Sequence, residues 1–391
     1  MNPKLRVPRT VWVLGFVSMF MDISSEIIHA LLPLFLTTTL GVSVAMVGLI
    51  DGIAEATASI SKIFSGYVSD RIGKRKPLIL IGYGLGALSK PLFALAGTAQ
   101  VVLGARFADR IGKGLRGAPR DALVADVTPI EIRGRAFGLR QSLDTIGAFA
   151  GPLIAIALMA LLANDMRSVF WVAIIPALVA VVLVLFGVED APAAKGAVHA
   201  RVPIRISDVK KFPPAFWILV IIGAVFSLAR FSEAFLILKA NAEGLPLALA
   251  PLVLVAMNLV YAVGAYPLGI LSDRVSSRML LAWGLLSLIC ADLALALLPG
   301  VVGAFVGIIL WGLHMASTQG LFAKLVADRA PDELRGSAYG VFNLASGIAL
   351  LAASVIAGVL WDAIGPSGTF LAGAAFSTLA LVGILGIRPR T

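Results

Sequence analysis

Charge is scarce in this sequence, and that scarcity excludes an ordinary soluble domain. Only 14% of its 391 residues are Asp, Glu, Lys or Arg, whereas a soluble globular domain carries about 25%. Hydrophobic residues make up 59% of the chain. The composition therefore predicts an integral membrane protein, in which each spanning segment satisfies its own backbone hydrogen bonds by forming a helix.

Cysteine and the common motifs of catalysis are also nearly absent. The chain has one cysteine, Cys290, so an internal disulfide is impossible. It contains no nucleophile–base spacing, phosphate-binding loop or cofactor motif, so we expect neither an enzyme nor a bound cofactor. The net charge of +10 does not indicate nucleic-acid binding, because its placement in the loops explains it better.

Long apolar runs fill the rest of the chain. One helical span needs about 20 residues, so a chain of this length holds about twelve spans with short loops. We expect these spans at 10–37, 43–69, 77–98, 100–127, 134–163, 167–188, 214–239, 247–272, 279–298, 300–327, 336–362 and 367–388.

Positive charge alternates from loop to loop. The even-numbered loops are basic, as in RIGKRK at 71–76, whereas odd-numbered loops such as TTTLGVS are nearly uncharged. The positive-inside rule then places the even loops and both termini in the cytoplasm. We therefore expect a multi-pass protein of the cell (inner) membrane.

The two halves of the chain repeat each other. LVADVTPIEIRGRAFG at 123–138 returns as LVADRAPDELRGSAYG at 325–340, and GYVSDR at 66–71 returns as GILSDR. Parallel repeats of this kind are typical of a transporter whose site lies between its halves. We expect a six-helix bundle at 1–188, a cytoplasmic linker at 189–213 and a second six-helix bundle at 214–391.

These segments resemble signature motifs of the major facilitator superfamily. GYVSDRIGKRK at 66–76 fits the family's loop 2–3 signature at every defined position, and Arg106–Phe107 fits the start of its fourth-span motif. The fifth span fits the antiporter signature through four residues, which are Gly138, Gly147, Gly151 and Pro152. Ala155 and Ile156 then stand where that signature has two more glycines.

The resemblance covers essentially the whole chain and implies a fold and a mode of action. The implied fold is all-α, with twelve transmembrane helices in two pseudo-symmetric six-helix bundles. The implied activity is secondary transport by alternating access, with an efflux antiporter as the nearest type. The implied cytoplasmic gate consists of Gly66, Asp70, Arg71, Gly73, Arg75 and Asp126.

The fourth span carries an unusual stripe of charge. Seven charged residues of RFADRIGKGLRGAPRD at 106–121 fall within an arc of about 140° on a helix. A charge that faces lipid costs at least about 2.5–3.5 kcal/mol, so the stripe must face a water-filled cavity or paired acids. The equivalent stretch of the second half, 311–325, lacks it. We therefore expect a substrate path lined by Arg106, Arg110, Lys113, Arg116, Arg140 and Asp144.

Acidic residues in the spans supply candidates for proton coupling. Asp22, Glu26 and His29 share one face of the first span, and Glu55 and Glu233 lie in the second and seventh spans. Competition between proton and substrate for such an acid suffices for antiport, so we expect coupling at Asp22, Glu26, Glu55 or Glu233. The substrate is then a small anionic or zwitterionic solute, carried by a monomer in the lipid bilayer.

Two alternatives remain open at this point. Asp22, Glu26 and His29 offer oxygen and nitrogen ligands to a divalent cation, which is the pattern of a metal exporter, although the cationic stripe opposite would repel the metal. A membrane receptor or scaffold without transport activity is the other alternative, but no appended signalling domain supports it.

Overall fold

The structure is a computed structural model that describes residues 6–72, 74–190, 212–272, 275–318, 321–329 and 335–386. It is all-helical over these residues, with no strand among them. The chain is divided into two compact units. Unit 1 contains the described residues up to Leu32 and from Thr57 to Asp190, and unit 2 contains Pro33–Ala56 and the described residues from Phe212 onward.

The first ten helical segments of the chain occupy the region before the linker. They are α1 at Arg9–His29, α2 at Leu32–Leu34, a π-helical turn at Phe35–Thr39, α3 at Val44–Ile72, α4 at Lys76–Leu95, α5 at Ala99–Val127, a 3₁₀ turn at Ile130–Ile132, α6 at Arg133–Leu161, α7 at Met166–Val172 and α8 at Ile174–Gly187. In unit 1, α1 packs mainly on α6 and α8, and α4 packs mainly on α5 and α8.

The remaining segments all belong to unit 2. They are α9 at Pro214–Ala229, α10 at Ala234–Ala242, a 3₁₀ turn at Leu247–Leu249, α11 at Leu252–Ser272, α12 at Ser277–Leu297, α13 at Gly300–Thr318, α14 at Leu321–Arg329, α15 at Arg335–Ile364 and α16 at Pro366–Gly386. Here α12 packs between α13 and α16, and α9 packs on α15 and α16.

Proline and capping side chains explain several helix ends. Helix α1 ends at His29 because Pro33, four residues on, has no N–H to donate to the His29 carbonyl. Asp165 begins α7 by accepting hydrogen bonds from the amides of Arg167 and Ser168 at 3.1 and 3.3 Å. The Ser168 hydroxyl also donates to Asp165 at 2.6 Å, and this bond foremost holds the pKa of that carboxyl below its ordinary value.

The prediction of a helical membrane fold is confirmed. Eleven helical segments of the described chain are long and apolar enough to cross a membrane. The predicted fourth span, α5, is not one of them, although its 29 residues exceed the length that a span requires. Its charge is the reason, so the neighbours of α5 must compensate for side chains that lipid cannot accommodate.

Candidate functional site

Charged side chains of α1, α4, α5 and α6 form one connected group in unit 1, here called the polar cluster. Its members are Asp22, Glu26, His29, Lys90, Arg106, Asp109, Arg110, Lys113, Arg116, Arg120, Asp121, Arg140 and Asp144. They are linked by salt bridges, hydrogen bonds or direct electrostatic interactions. All four helices contribute, so the packing of unit 1 sets the geometry of the cluster.

Glycine allows α4 and α5 to approach closely beneath this cluster. A Cβ atom built on Gly82 would lie 2.7 Å from the Gly112 carbonyl oxygen, and one built on Gly112 would lie 2.6 Å from the Gly82 carbonyl oxygen. Small residues at such crossings are the usual means of close packing between membrane helices. The backbones therefore hold the polar side chains of α4 and α5 within bonding distance of each other.

A buried ion pair lies between α4 and α5. Lys90 donates to Asp109 at 2.8 Å, and their side chains are only 1% and 2% exposed. Lys90 also donates to the hydroxyl of Ser25 on α1 at 3.0 Å. One charge of the predicted stripe, Asp109, is therefore neutralised inside the helix bundle by a lysine that the sequence analysis did not select.

Glu26 and His29 face the basic residues of α5. The imidazole Nδ1 of His29 lies 3.5 Å from a carboxylate oxygen of Glu26, and His29 Nε2 contacts the guanidinium of Arg106. The charge of Lys113 also acts on Glu26. Within the described residues, no three His, Cys, Asp or Glu side chains are grouped as metal ligands.

Asp22 and Asp144 bring two carboxyl groups together. Asp22 on α1 and Asp144 on α6 lie close enough for their charges to interact, and the charge of Lys113 acts on Asp22 as well. Two carboxylates at such close range repel each other, and a proton on either of them relieves that repulsion. The predicted coupling residue Asp22 and the predicted substrate-path residue Asp144 thus form a single acid pair.

The arginines of the cluster differ from the single cavity-facing stripe that we expected. Arg116 is 4% exposed, and its guanidinium lies 4.7 Å from the centre of the Tyr83 ring on α4. Arg110 is equally buried, whereas Lys113 is exposed. Helical angles place these residues on one face but cannot tell which of them packs against a neighbouring helix, and α4 covers Arg116.

Arg120 and Arg140 connect the acids at one end of the cluster. Arg140 lies 3.7 Å from Asp144 and 3.8 Å from Asp121. Arg120 lies 3.1 Å from Asp121 and 3.9 Å from Asp144, and it donates to the Ser18 hydroxyl at 2.9 Å. The i,i+4 pair of Arg140 and Asp144, two residues of the predicted substrate path, is therefore part of a network that ties α5 to α6.

Two glycines of the antiporter motif lie directly against the acids of α1. A Cβ built on Gly147 would lie 3.1 Å from the Asp22 Cβ, and one built on Gly151 would lie 2.6 Å from the Glu26 Cβ. Gly138, in contrast, has no atom within 4 Å of such a position. The motif thus sets the distance between α6 and the two carboxyl groups at Gly147 and Gly151.

We expect Gly151→Ala to destabilise the protein and to impair its activity. The added methyl group displaces α6 from α1 at Glu26, and overpacking of this kind costs about 1–3 kcal/mol. Gly138→Ala is the matched control on the same helix, because its methyl meets no neighbour and alanine favours a helix by up to about 1 kcal/mol. Thermal unfolding in detergent measures both variants, and equal melting temperatures would contradict the expectation.

The other predicted acids, Glu55 and Glu233, belong to unit 2. Glu233 lies 3.9 Å from Arg230 in a break between α9 and α10. Ser232 in the same break donates to Asp51 at 2.7 Å. Non-helical backbone at membrane depth is tolerated where it is buried in protein or lines a cavity, so this break is a second polar region.

Only part of the predicted cytoplasmic gate falls within the described structure. Arg75 lies 3.3 Å from Asp126 and donates to Ser69 at 2.8 Å. The amides of Arg75 and Lys76 both donate to Asp190 at 2.9 and 2.8 Å. The remaining gate predictions lie outside the described residues or side chains, and they are Gly66, Asp70, Arg71 and Gly73. Most of the predicted linker 189–213 lies outside them as well.

Sequence reasoning missed Lys90 and Tyr83. Lys90 carried a usable signal, because it is a lone charge inside the apolar run 77–98 and such charges mark polar contacts within a membrane protein. Tyr83 carried none, since an aromatic residue in a span is ordinary. Its hydroxyl lies 3.2 Å from the Ser18 hydroxyl, beneath the arginines of the cluster.

Comparison with known proteins identifies a family across the chain. Residues 14–354 match the family model described as Major Facilitator Superfamily, and residues 244–391 match it a second time. An uncharacterized MFS-type transporter of Methanocaldococcus jannaschii is 29% identical over 380 residues, covering 96% of this chain and 93% of that protein.

Two further comparisons are more distant. The multidrug resistance protein MdtH of Photorhabdus laumondii is 31% identical over 160 residues, covering 41% of this chain and 39% of that protein. The crystal structure of a POT family transporter in complex with a thioalcohol-conjugated peptide has a TM-score of 0.80 at 16% identity, covering 97% of this chain and 95% of the other. At 16% identity, the likeness to the POT family transporter shows the fold alone.

Proposed function

The chain belongs to the Major Facilitator Superfamily and is a multi-pass membrane transporter of a small molecule, and we propose that it exports an anionic or zwitterionic solute in exchange for protons. In this proposal residues 1–188 and 214–391 are the two bundles of an alternating-access monomer. The basic even-numbered loops, the linker and both termini face the cytoplasm, and the protein resides in the cell membrane.

The acid pair of Asp22 and Asp144 is the observation that carries the proton-coupling proposal. A proton on either carboxyl group of the pair relieves the repulsion between the two. Lys113 is exposed beside them, and an anion that binds Lys113 competes with the charge of the acid pair for the same cation. Substrate arrival and proton loss therefore influence each other, which is the requirement for coupled transport.

The sign of the proposed substrate follows from the charge of the polar cluster. Seven of its members are Lys or Arg and five are Asp or Glu. One proton on the acid pair removes a further negative charge. The cluster therefore has an excess of positive charge in the absence of substrate, and a carboxylate or phosphate group of the solute would balance it with charge-assisted hydrogen bonds.

The direction of transport rests on two observations. The antiporter motif glycines Gly147 and Gly151 pack against the acid-bearing face of α1, so the motif is built into the proposed proton site. The partial similarity to the multidrug resistance protein MdtH is the second observation that supports export. Import driven by protons would move the solute in the same direction as the protons, whereas export in exchange for protons moves it in the opposite direction.

Transport assays on reconstituted protein test this proposal. We first expect organic anions or zwitterions, rather than divalent metals or cationic drugs, to raise the melting temperature of the purified protein at two pH values. The stabilising compound is then loaded into proteoliposomes under gradients of either sign. Transport of the solute against the proton flux supports the proposal, and stabilisation by divalent metals alone would contradict it.

We expect Lys113→Ala to weaken binding of the anionic solute without unfolding the protein. Lys113 is exposed, so its removal leaves water in its place and relieves repulsion from the neighbouring arginines. The lost charged hydrogen bond is worth about 1.5–3 kcal/mol, which corresponds to about a ten- to hundredfold loss of affinity. Isothermal titration and melting temperature measure the two effects separately.

Lys74→Ala is the matched control for this experiment. Lys74 is an exposed lysine outside any helix, so the variant has the same net charge without touching the polar cluster. We expect its affinity to equal that of the unaltered protein. If both variants lose the same amount of affinity, the effect of Lys113 comes from net charge alone. If Lys113→Ala loses much stability but keeps its affinity, Lys113 holds the fold together and does not bind the solute.

A further inference from the structure

We propose that the carboxyl group of Asp292 is a second proton-binding site, placed in unit 2, and that Phe231 controls its access to water. The inference extends the proposed proton-coupled transport, on which its physiological role rests. Its physical basis is independent of the polar cluster, because every residue that carries it lies on α10, α12, α13, α16 or the break between α9 and α10.

Asp292 is a completely buried acid that has no hydrogen-bond partner in the part of the chain that the structure describes. Its side chain is 0% exposed, and neither carboxylate oxygen has a hydrogen-bond partner among the described residues. An ionised carboxylate in such a place is very costly, whereas the protonated form is not. The geometry therefore requires Asp292 to hold a proton in this conformation.

Apolar and aromatic groups enclose the Asp292 carboxyl. A Cβ built on Gly373 of α16 would lie 2.8 Å from an Asp292 oxygen and 2.9 Å from the Phe231 ring. Asp292 and Phe231 thus share the space above Gly373. The Phe231 ring in turn packs on Phe235, Trp311 and Phe370, with ring centres 5.3, 5.4 and 5.6 Å apart.

Charged groups of the packed helices do not neutralise Asp292. Helix α16 has no titratable residue, and α13 has only His314, whose Nδ1 bonds the Gly284 carbonyl at 2.8 Å about two helical turns from Asp292. Arg230 and Glu233 in the break pair with each other at 3.9 Å. On α12 itself, Arg278 donates to the Leu385 carbonyl, and Cys290 is exposed.

Helix α14 also contacts α12, and Arg329 is its charged side chain within the described structure. Gly284 of α12 meets Thr318 at the end of α13, so α14 begins beside the first half of α12, and Asp292 lies in the second half. The proton on Asp292 therefore has no competing cation in its surroundings, as far as the described residues extend.

Further unsatisfied polar atoms lie along the same interface. Trp311 Nε1 and His314 Nε2 on α13 are both buried without hydrogen-bond partners in the described structure. Because His314 donates from Nδ1 to a carbonyl, its Nε2 is an acceptor. Trp311 and His314, whose ring centres are 6.5 Å apart, thus offer polar atoms on α13 to which water, once admitted, would hydrogen-bond.

The helix break supplies the means of admitting water. Phe231 lies between the end of α9 at Ala229 and the start of α10 at Ala234, so its backbone is not held by regular helical hydrogen bonds. Discontinuous helices are the elements that form ion sites in secondary transporters. A small rotation of the break would move the Phe231 ring off Asp292 without unwinding any helix.

The test follows the carboxyl of Asp292 directly by infrared spectroscopy of the full chain in proteoliposomes. We expect a protonated-carboxyl band at neutral pH that is absent in Asp292→Asn and that disappears reversibly as the pH is raised. Phe231→Ala should accelerate the exchange of this proton with deuterium from heavy water. Absence of an Asp292-dependent band, or a band that never titrates or exchanges, would overturn the proposal.

A pair of glycine variants keeps the test decisive if Asp292→Asn does not fold. Gly373→Ala places a methyl group against the carboxyl and should shift its band, whereas Gly383→Ala on the same helix meets no atom within 4 Å and should not. A band that responds equally to both methyl groups, or to neither, would not belong to Asp292 and would refute the assignment.

Transport assays distinguish a failure of the Asp292 proposal from a failure of the proposed function. If the unaltered protein responds to a pH gradient, Asp292→Asn should lose that response while still binding substrate, and an undiminished response would overturn the role of Asp292. If the unaltered protein shows no response to pH, proton-coupled transport fails, but reversible titration of the Asp292 band would still establish the proton-binding site.

Discussion

Asp22→Asn should abolish transport driven by a pH gradient while preserving exchange of substrate across the membrane at equal pH. The side chain of Asn has the shape of a protonated Asp and, like a protonated Asp, carries no charge beside Asp144. The variant is therefore fixed in the state that resembles the protonated acid pair. Substrate binding and the conformational change persist, but no proton can be released.

Two reconstituted assays separate these outcomes. Counterflow with labelled substrate at equal pH measures exchange, and accumulation under an imposed pH gradient measures coupling. We expect the first to stay within a few-fold of the unaltered protein and the second to fall to background. Glu131→Gln is the matched control, because it removes an exposed carboxylate in the short turn before α6.

Glu26→Gln distinguishes the acid pair from its neighbour. Glu26 lies against Gly151, one helical turn from Asp22, and contacts His29 rather than Asp144. If the acid pair carries the proton, Glu26→Gln reduces the rate but keeps the response to the pH gradient. Loss of that response in Glu26→Gln, with a normal response in Asp22→Asn, would move the coupling site to Glu26.

Most of the helical architecture was predictable because the length of each apolar run and the polar or turn residues between the runs determine it. Helices α3, α4 and α5 begin and end within a few residues of the predicted spans. The breaks were not predictable in the same way. Around Arg230 the residues continue an apolar run interrupted by two charged residues, Arg230 and Glu233. The helix ends there as the Ser232 hydroxyl donates to Asp51 and accepts from the amide of Ala234.

Most members of the polar cluster could be named from the sequence, but their pairing could not. Helical angles place the charges of α5 on one face, yet a single sequence does not contain the register between α4 and α5. That register decides that Lys90 meets Asp109 and that Arg116 packs on Tyr83. The lone charges of apolar spans are the transferable signal, and Lys90 and Asp292 both carry it.

The pairing of Lys90 with Asp109 also determines which substitution should damage stability most. We expect Asp109→Asn to lower the free energy of unfolding by about 3–5 kcal/mol, because it leaves the buried ammonium group of Lys90 without a counter-charge. Lys90→Met should cost a similar amount by stranding the carboxylate. Unfolding in mixed detergent micelles, followed by circular dichroism, measures both variants.

The double variant Lys90→Met/Asp109→Leu identifies the cause of these losses. Replacing both members of a buried ion pair by apolar side chains of similar size is often neutral or stabilising by about 1–4 kcal/mol. We therefore expect the double variant to recover most of the stability that either single variant loses. A double variant as unstable as the sum of the single variants would show that packing volume, rather than unpaired charge, is responsible.

A second ion pair of unit 1 gives the matched control. Arg75 and Asp126 lie 3.3 Å apart, but their side chains are 19% and 42% exposed, so water solvates whichever charge remains. Asp126→Asn should therefore cost no more than about 1 kcal/mol. The contrast between Asp109 and Asp126 tests whether burial, and not the mere presence of a salt bridge, makes the Lys90–Asp109 pair essential to the packing of α4 on α5.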